Sequence, residues 1–394
     1  MKIALINLPL DNNYGGNLQR YALYTVLTRL GHDVTYLPML TKMYTPKGIH
    51  KILSKAKRFA FEHVLHKEIL IDGIPVSQYE KDKAKELKIQ IPAFLNFTKE
   101  HVNTYPRNFN DFGELKSIVS EFDTFVVGSD QAWRNYSPNT LPHYYLDFVP
   151  VGKRKIAYAI SFGNSATNYS RDLVKRCGKL VSTFNAVSFR ESSGIEITHK
   201  FNWKINNPEI VLDPTLLLRK EDYLALMPEG DSNNSRNLNR KLFYYILDDN
   251  GFKANLVSKI SDQLGLSPYG LNTLFPNIGK NTSIILPSPG QWLKDLYESD
   301  FVVTDSFHGT LFSIIFNKPF ITIMNNKRGA ERYNPLINNL GLEDRIVNDN
   351  SLRHFDFNEF YQISWEEVNK KLESYREKSI HFLINCLRKS LIIL

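Results

Sequence analysis

Two cysteines in 394 residues are too few for a disulfide framework, and Cys177 and Cys386 stand far apart without metal-ligand spacing. A reducing compartment fits that usage, and neither a structural zinc nor any other metal is expected. The chain also has no uninterrupted apolar run long enough to cross a bilayer. Its start, Met1-Lys2-Ile3-Ala4-Leu5-Ile6-Asn7, lacks the apolar core and small-residue cleavage site of a secretory signal. A cytoplasmic location is therefore expected. The nucleotide and hydrolase fingerprints are missing too: Gly15-Gly16 does not complete GxGxxG, and there is no P-loop, no GxSxG elbow and no HExxH helix. Dehydrogenase, P-loop kinase and zinc protease all lose support.

What is present is the composition of a globular protein, 42% hydrophobic and 23% charged, long enough for two or three domains. The net charge is +8. Part of it is concentrated in Lys42, Lys47, Lys51, Lys55, Lys57, Arg58 and Lys67, interleaved with Ile52, Leu53, Phe59, Phe61, Val64 and Leu65. This basic amphipathic pattern over 42–67 suits the anionic inner face of a membrane or a lipid-linked anionic substrate, and equally a solvated surface helix. No helix-turn-helix, zinc finger or aromatic RNA-binding signature accompanies it, so no nucleic-acid partner is expected.

Alternating periods give the organisation. A strand at 2–7, a loop at Asn12-Asn13-Tyr14-Gly15-Gly16, a helix from Leu18 to Leu30 stopped by Gly31, and a strand from Val34 to Leu37 make a βαβ start. A partly helical insertion follows over 38–114. Strands at Thr124-Phe125-Val126-Val127, Lys155–Ile160 and Ala186–Phe189 continue the series, and Ile210 to Thr215 closes it. A second series begins with the strand from Leu242 to Leu247 and the helix from Phe252 to Leu264, while Asp248-Asp249 reads as a solvated turn. The expected fold is α/β, with two Rossmann-like domains facing a cleft, 1–225 and 226–364, and a C-terminal helix over 365–394.

The most informative stretch is Asp300–Ile323. The apolar run Phe301-Val302-Val303-Thr304 ends at Asp305, Ser306-Phe307-His308-Gly309 reads as a tight turn, Thr310–Phe316 as a short helix, and Pro319–Ile323 as a strand. In open α/β sheets that strand edge is where ligands sit, and a helix amino terminus there favours anions. A histidine on the turn can touch a bound phosphate or carboxylate and exchange protons near neutral pH. Alternatively it packs beneath the helix.

Together with that block, Asn13-Tyr14-Gly15-Gly16-Asn17-Leu18-Gln19, Val127-Gly128-Ser129-Asp130-Gln131, Val187-Ser188-Phe189-Arg190-Glu191 and Leu212-Asp213-Pro214-Thr215 resemble the polysaccharide pyruvyl transferase family. The resemblance runs from residue 2 to about 345, including a basic segment over Arg328–Leu342. It implies a GT-B-like fold and transfer of pyruvate from phosphoenolpyruvate, a substrate and not a bound cofactor, onto a sugar or lipid-linked glycan as a ketal. Arg190 and His308 match the family's donor-site residues. Characterised members tend to carry arginine where this chain has Ser306, which offers no bidentate cationic fork. Lys327, Arg328 or Arg332 then supplies the charge, or the donor differs.

The chemistry assigns candidates. Phosphoenolpyruvate carries a carboxylate and a phosphate, for which Arg190, Arg328, Arg332 and the Ser306-Phe307-His308-Gly309 turn leading into the helix are the donor-binding candidates. Ketal formation needs an acid and a base. His308 is the candidate proton carrier, with Asp130, Glu191 or Asp305 as base; Asp305 alternatively caps the helix, and Asp130 alternatively bonds loop amides. Asn13, Tyr14, Gly15, Gln131 and Glu191 are placed on the acceptor side. Two other readings stand beside this one: a glycosyltransferase using a nucleotide sugar, and a glycan-binding homologue without catalysis.

Overall fold

The computed structural model describes residues 1–39, 90–109, 112–135, 137–163, 169–229, 240–248, 251–270, 286–325, 334–348 and 357–388, with the backbone of 70–71 and 74–75. The basic segment 42–67, much of the 38–114 insertion, and Lys327, Arg328 and Arg332 lie outside these residues. Within the insertion, 90–101 is helical.

The first sheet contains β1 (Lys2–Ile6), β2 (Asp33–Tyr36), β5 (Thr124–Asp130), β6 (Arg154–Ile160), β7 (Ala186–Phe189) and β8 (Glu209–Ile210), in the order β2-β1-β5-β6-β7-β8 and parallel throughout. A small antiparallel pair, β3 (Leu70–Ile71) with β4 (Ile74–Pro75), stands apart. The second sheet, also parallel, runs β10-β9-β11-β12-β13, from β9 (Lys241–Tyr245), β10 (Ser267–Gly270), β11 (Phe301–Thr304), β12 (Phe320–Ile323) and β13 (Ile346–Val347). Central strands of such sheets are covered on both faces, so they need continuous apolar runs; all of β5 and β11 is buried.

In each sheet the chain runs outward from one strand, β1 or β9, and then crosses back to its other side, to β5 or β11. The carboxyl ends of those pairs are topological switch points, where ligands of open α/β sheets bind. Helix α1 (Tyr14–Arg29) leaves the first switch point. Asn13 caps it by accepting a bond from the Gly16 amide, so the Tyr14-Gly15-Gly16 segment expected as loop forms the first turn. Gly31, at φ 83°, ends it, with the His32 amide reaching back to the Leu27 carbonyl.

Further helices are α2 (Arg171–Val181), α3 (Ser192–Lys200), α4 (Lys220–Leu224), α5 (Gly251–Leu264), α6 (Pro289–Tyr297), α7 (Phe307–Ile315), α8 (Asn334–Leu340) and α9 (Trp365–Leu387). One apolar core joins the two sheets: Ile3 and Leu5 of β1, Leu18 and Leu23 of α1, Trp292 of α6 and Phe312 of α7 belong to the same cluster. Helix α9 starts after the second sheet and returns to the first domain. There Arg376 donates to the Leu216 and Leu218 carbonyls, and the Leu212 amide donates to Ser379.

Candidate active site

Two helix first turns meet between the sheets. Gly15 belongs to α1 and His308 to α7, and their contact is so close that a Cβ built on Gly15 would sit 2.7 Å from His308 Cε1 and nearer still to Cγ and Nδ1. Only a residue without a side chain lets the imidazole occupy this place. His308 stands in the first turn of α7 and not in a turn before it, because Ser306 is the N-cap, its hydroxyl accepting from the Gly309 amide at 3.3 Å. The amino ends of both helices, where the dipoles are positive, thus meet at one point between the sheets.

Beside the imidazole lies a buried charged cluster. Arg190, at the end of β7, has a side chain 1% exposed. Its NH2 donates to Asp130 Oδ1 at 2.8 Å, its NH1 to Asp213 Oδ2 at 3.0 Å and its Nε to Glu191 Oε2 at 3.3 Å, while its plane covers the Phe307 ring at 4.7 Å. Burial alone would favour the neutral guanidine, but the three carboxylates outweigh it and hold the group protonated. Each of its three nitrogens thus donates to a carboxylate of the fold. This corrects the expectation that Arg190 offers its fork to the donor: it organises three carboxylates.

Asp213 is the partner the sequence reading left without a role. It caps the 3-10 turn Pro214–Leu217, with Oδ1 accepting from the Thr215 amide at 3.0 Å and from Thr215 Oγ1 at 2.8 Å. Its Oδ2 lies 3.7 Å from His308 Nε2. Burial pushes this carboxyl up, but His308, Arg190 and the Thr215 amide together hold it well below the usual carboxylate range. An Asp-Pro pair after an apolar run was the available signal. Asp11 was also passed over. It is half-buried in the loop after β1, accepting from the Asn13 amide at 3.0 Å, and burial with the nearby Asp130 charge raises its pKa against Asn13 and Arg20.

The other candidates divide. Asp130, at the end of β5 with φ 66°, and Glu191 join the cluster through Arg190. Aspartate tolerates that left-handed conformation better than most residues. Asn13 is exposed at the cap of α1. Gln131 accepts from Arg134 at 2.9 Å. Phe307 lies between Arg190 and His308, and Gly309 packs against Thr304 with its amide given to Ser306, which removes that amide from donor binding. Tyr14 leaves the acceptor side altogether: it is 1% exposed, stacks on Trp292 at 5.1 Å, and donates its hydroxyl to the Pro287 carbonyl at 2.9 Å.

Asp305 is not an available base either. Its carboxylate accepts from the Leu247 amide at 2.6 Å, the Asp248 amide at 3.2 Å, Lys253 Nζ at 2.8 Å and Asn325 at 3.0 Å. It pins the loop after β9, and Asp248, expected in a solvated turn, accepts from Asn325 in the same network. At the first switch point Gln19 does the comparable work, exchanging bonds with Asn7 and accepting from the Ser129 amide and hydroxyl. This ties α1 to the end of β5. Among the described residues no group of three His, Cys, Asp or Glu side chains could hold a metal ion, and no helix is long and apolar enough to cross a membrane.

Two parallel sheets with their helices, joined by one apolar core, make a two-domain α/β fold of the GT-B-like kind. In its fold the chain is similar to UDP-GlcNAc 2-epimerase from Methanocaldococcus jannaschii, at 12% identity over 95% of this chain and 92% of that one, with a TM-score of 0.50. It is also similar to UDP-GlcNAc 2-epimerase from Neisseria meningitidis (8% identity, 98% and 99% covered, TM-score 0.47) and to MurG from Acinetobacter baumannii (9% identity, 98% of each covered, TM-score 0.41). No curated protein sequence matches it. Residues 13–327 match the family described as polysaccharide pyruvyl transferase, and the chain belongs to that family.

Proposed function

We propose that the protein transfers pyruvate from phosphoenolpyruvate onto two hydroxyls of a sugar in a surface-polysaccharide precursor, forming a ketal and releasing phosphate. The observation that carries this reading is the placement of His308 in the first turn of α7, against the first turn of α1, in a chain of this family. Phosphoenolpyruvate is doubly anionic in character, with a carboxylate and a phosphate. The positive ends of two helices favour such a ligand. With Arg190 enclosed by carboxylates, the remaining cationic candidates for the donor are Lys327, Arg328 and Arg332.

The reaction asks for protons to move and for none to be lost. One sugar hydroxyl adds to the carbon that bears the phosphate ester while the methylene carbon gains a proton and becomes methyl. The second hydroxyl then displaces phosphate from the same carbon. Of the two hydroxyl protons, one ends on the methyl group and the other on phosphate. His308 is the proton carrier in this reading, with Asp130 or Glu191, each bonded to Arg190 through one oxygen, as the base toward the other hydroxyl.

The test is to incubate the protein with phosphoenolpyruvate and a panel of lipid-linked and nitrophenyl glycosides, following phosphate release and the mass of the glycoside. A pyruvate-sized mass gain that depends on the donor and is abolished by His308→Ala is expected. Glycosyl transfer when a nucleotide sugar replaces phosphoenolpyruvate in the same incubation, or sugar binding with no turnover of either donor, would overturn the reading.

A further inference from the structure

We propose that Asp213 is a positioning residue: it fixes the His308 ring with Nε2–H toward its own Oδ2, so that Nδ1 is the nitrogen that exchanges protons with the reactants. The inference rests on the reading of His308 as proton carrier and adds which nitrogen does the work and what orients it.

The geometry is built from both domains. Asp213 arrives from the first, immovably placed by its two bonds from Thr215 on one oxygen and by Arg190 on the other. His308 arrives from the second, and its Nε2 is buried without a hydrogen-bond partner, 3.7 Å from Asp213 Oδ2. That separation is longer than a formed hydrogen bond, and such contacts commonly tighten when a ligand closes the site. Around the ring, α1 presents Gly15, which carries no ionisable group, and Tyr14 is turned away toward Trp292. From β7, Arg190 acts through Asp213 and through the face of Phe307, with Asp130 and Glu191 behind it. Among the described residues, Asp213 is the acidic side chain that reaches the imidazole.

A neutral imidazole carries one N–H, and the hydrogen bond made by one nitrogen decides the state of the other. A carboxylate facing Nε2 favours Nε2–H and leaves the lone pair on Nδ1, with Gly15 packed against the ring at that nitrogen. When Nδ1 takes a proton from a sugar hydroxyl, the imidazolium faces Asp213, which stays ionised; when Nδ1 gives the proton to the donor, the ring returns to its starting tautomer. Asp213 never receives the proton.

The tautomer is read directly by nitrogen NMR of the full chain carrying 15N-histidine, with His308 assigned by His308→Gln and spectra recorded where the ring is neutral. Wild type should be protonated at Nε2. In Asp213→Asn the ratio of tautomers should change several-fold toward Nδ1–H, and kcat should drop at least tenfold with little change in KM for phosphoenolpyruvate. If Asp213→Asn does not fold, Thr215→Val, which removes one of the bonds aiming the carboxylate and keeps its charge, should shift the ratio in the same direction by a smaller factor. Neutral His308 protonated at Nδ1 in wild type, or an unchanged ratio in a folded variant, overturns the proposal. The spectra need neither donor nor acceptor, so this result stands or falls separately from the phosphoenolpyruvate reading.

Discussion

Replacing Gly15 by alanine perturbs the site without touching any ionisable group. The new methyl would lie 2.7 Å from His308 Cε1 and closer still to Cγ and Nδ1, against a comfortable separation of about 3.5–4.0 Å, so the ring must retreat by about 1 Å or more. Two effects on stability oppose each other. Alanine in the first turn of α1 gains up to about 1 kcal/mol of helix propensity over glycine. Forcing a methyl into a packed contact costs about 1–3 kcal/mol. The net loss is then between about 0 and 3 kcal/mol, a shift of a few degrees in Tm for a protein of this size. Activity should respond far more, because misplacing a catalytic group by about 1 Å costs on the order of 100-fold. The assay is kcat for phosphate release from phosphoenolpyruvate with a working acceptor, alongside a thermal melt. A folded Gly15→Ala protein retaining kcat within about threefold of wild type would show that the ring either is not the proton carrier or moves aside at no cost.

Three further outcomes follow from the same contacts. Arg190→Ala leaves three buried carboxylates without their cation and should lose about 3–5 kcal/mol in chemical denaturation, with Arg190→Lys recovering only part because a point charge cannot serve three carboxylates in one plane; unchanged stability would remove Arg190 from its organising role. Tyr14→Phe deletes the hydroxyl bond to Pro287 but keeps the stack on Trp292, so it should cost about 1 kcal/mol of stability and leave the acceptor KM alone; a raised KM would return Tyr14 to the acceptor side. Asp213 titrates lower in the folded chain than its ordinary 3.8, so its contribution to stability is present above that pH and is lost as the pH falls toward the folded value. The acid limb of the stability curve should accordingly flatten in Asp213→Asn, and an unaltered limb would contradict the depressed pKa.

The legible parts of the sequence were those whose signal is local. The buried parallel strands announce themselves as apolar runs, as at Phe125-Val126-Val127 and Phe301-Val302-Val303, and Gly31 marks the end of α1. Misread were the starts of α1 and α7: Gly15-Gly16 and Gly309 look like helix breakers, whereas Asn13 and Ser306 cap the helices just before them. Strands β10 and β13 went unseen because they are edges, paired on one side only, and Ser267-Pro268-Tyr269-Gly270 carries both proline and glycine. The role of Arg190 was least legible. Asp130 lies 60 residues before it and Asp213 lies 23 after it, and no periodicity reports that the ends of separate strands converge.

The division of labour between the sheets explains why stability and activity should separate in these variants. The second sheet supplies the imidazole, while the first supplies everything that fixes it: the empty space at Gly15, the carboxylate of Asp213, and Arg190 against the face of Phe307. Such a site works only if the sheets keep their register to a fraction of an ångström. The boundary is built for that. Tyr14 of α1 stacks within 12° of parallel on Trp292 of α6, its hydroxyl is bonded across to Pro287, and α9 returns from the second domain to bond the Leu216 and Leu218 carbonyls of the first. An aromatic pair of this kind adds about 0.5–1.5 kcal/mol beyond its buried area, a modest part of the stability of a whole domain. Its larger effect is geometric: Tyr14 precedes Gly15 in the same first turn, so the stack that joins the sheets also sets where the histidine can stand.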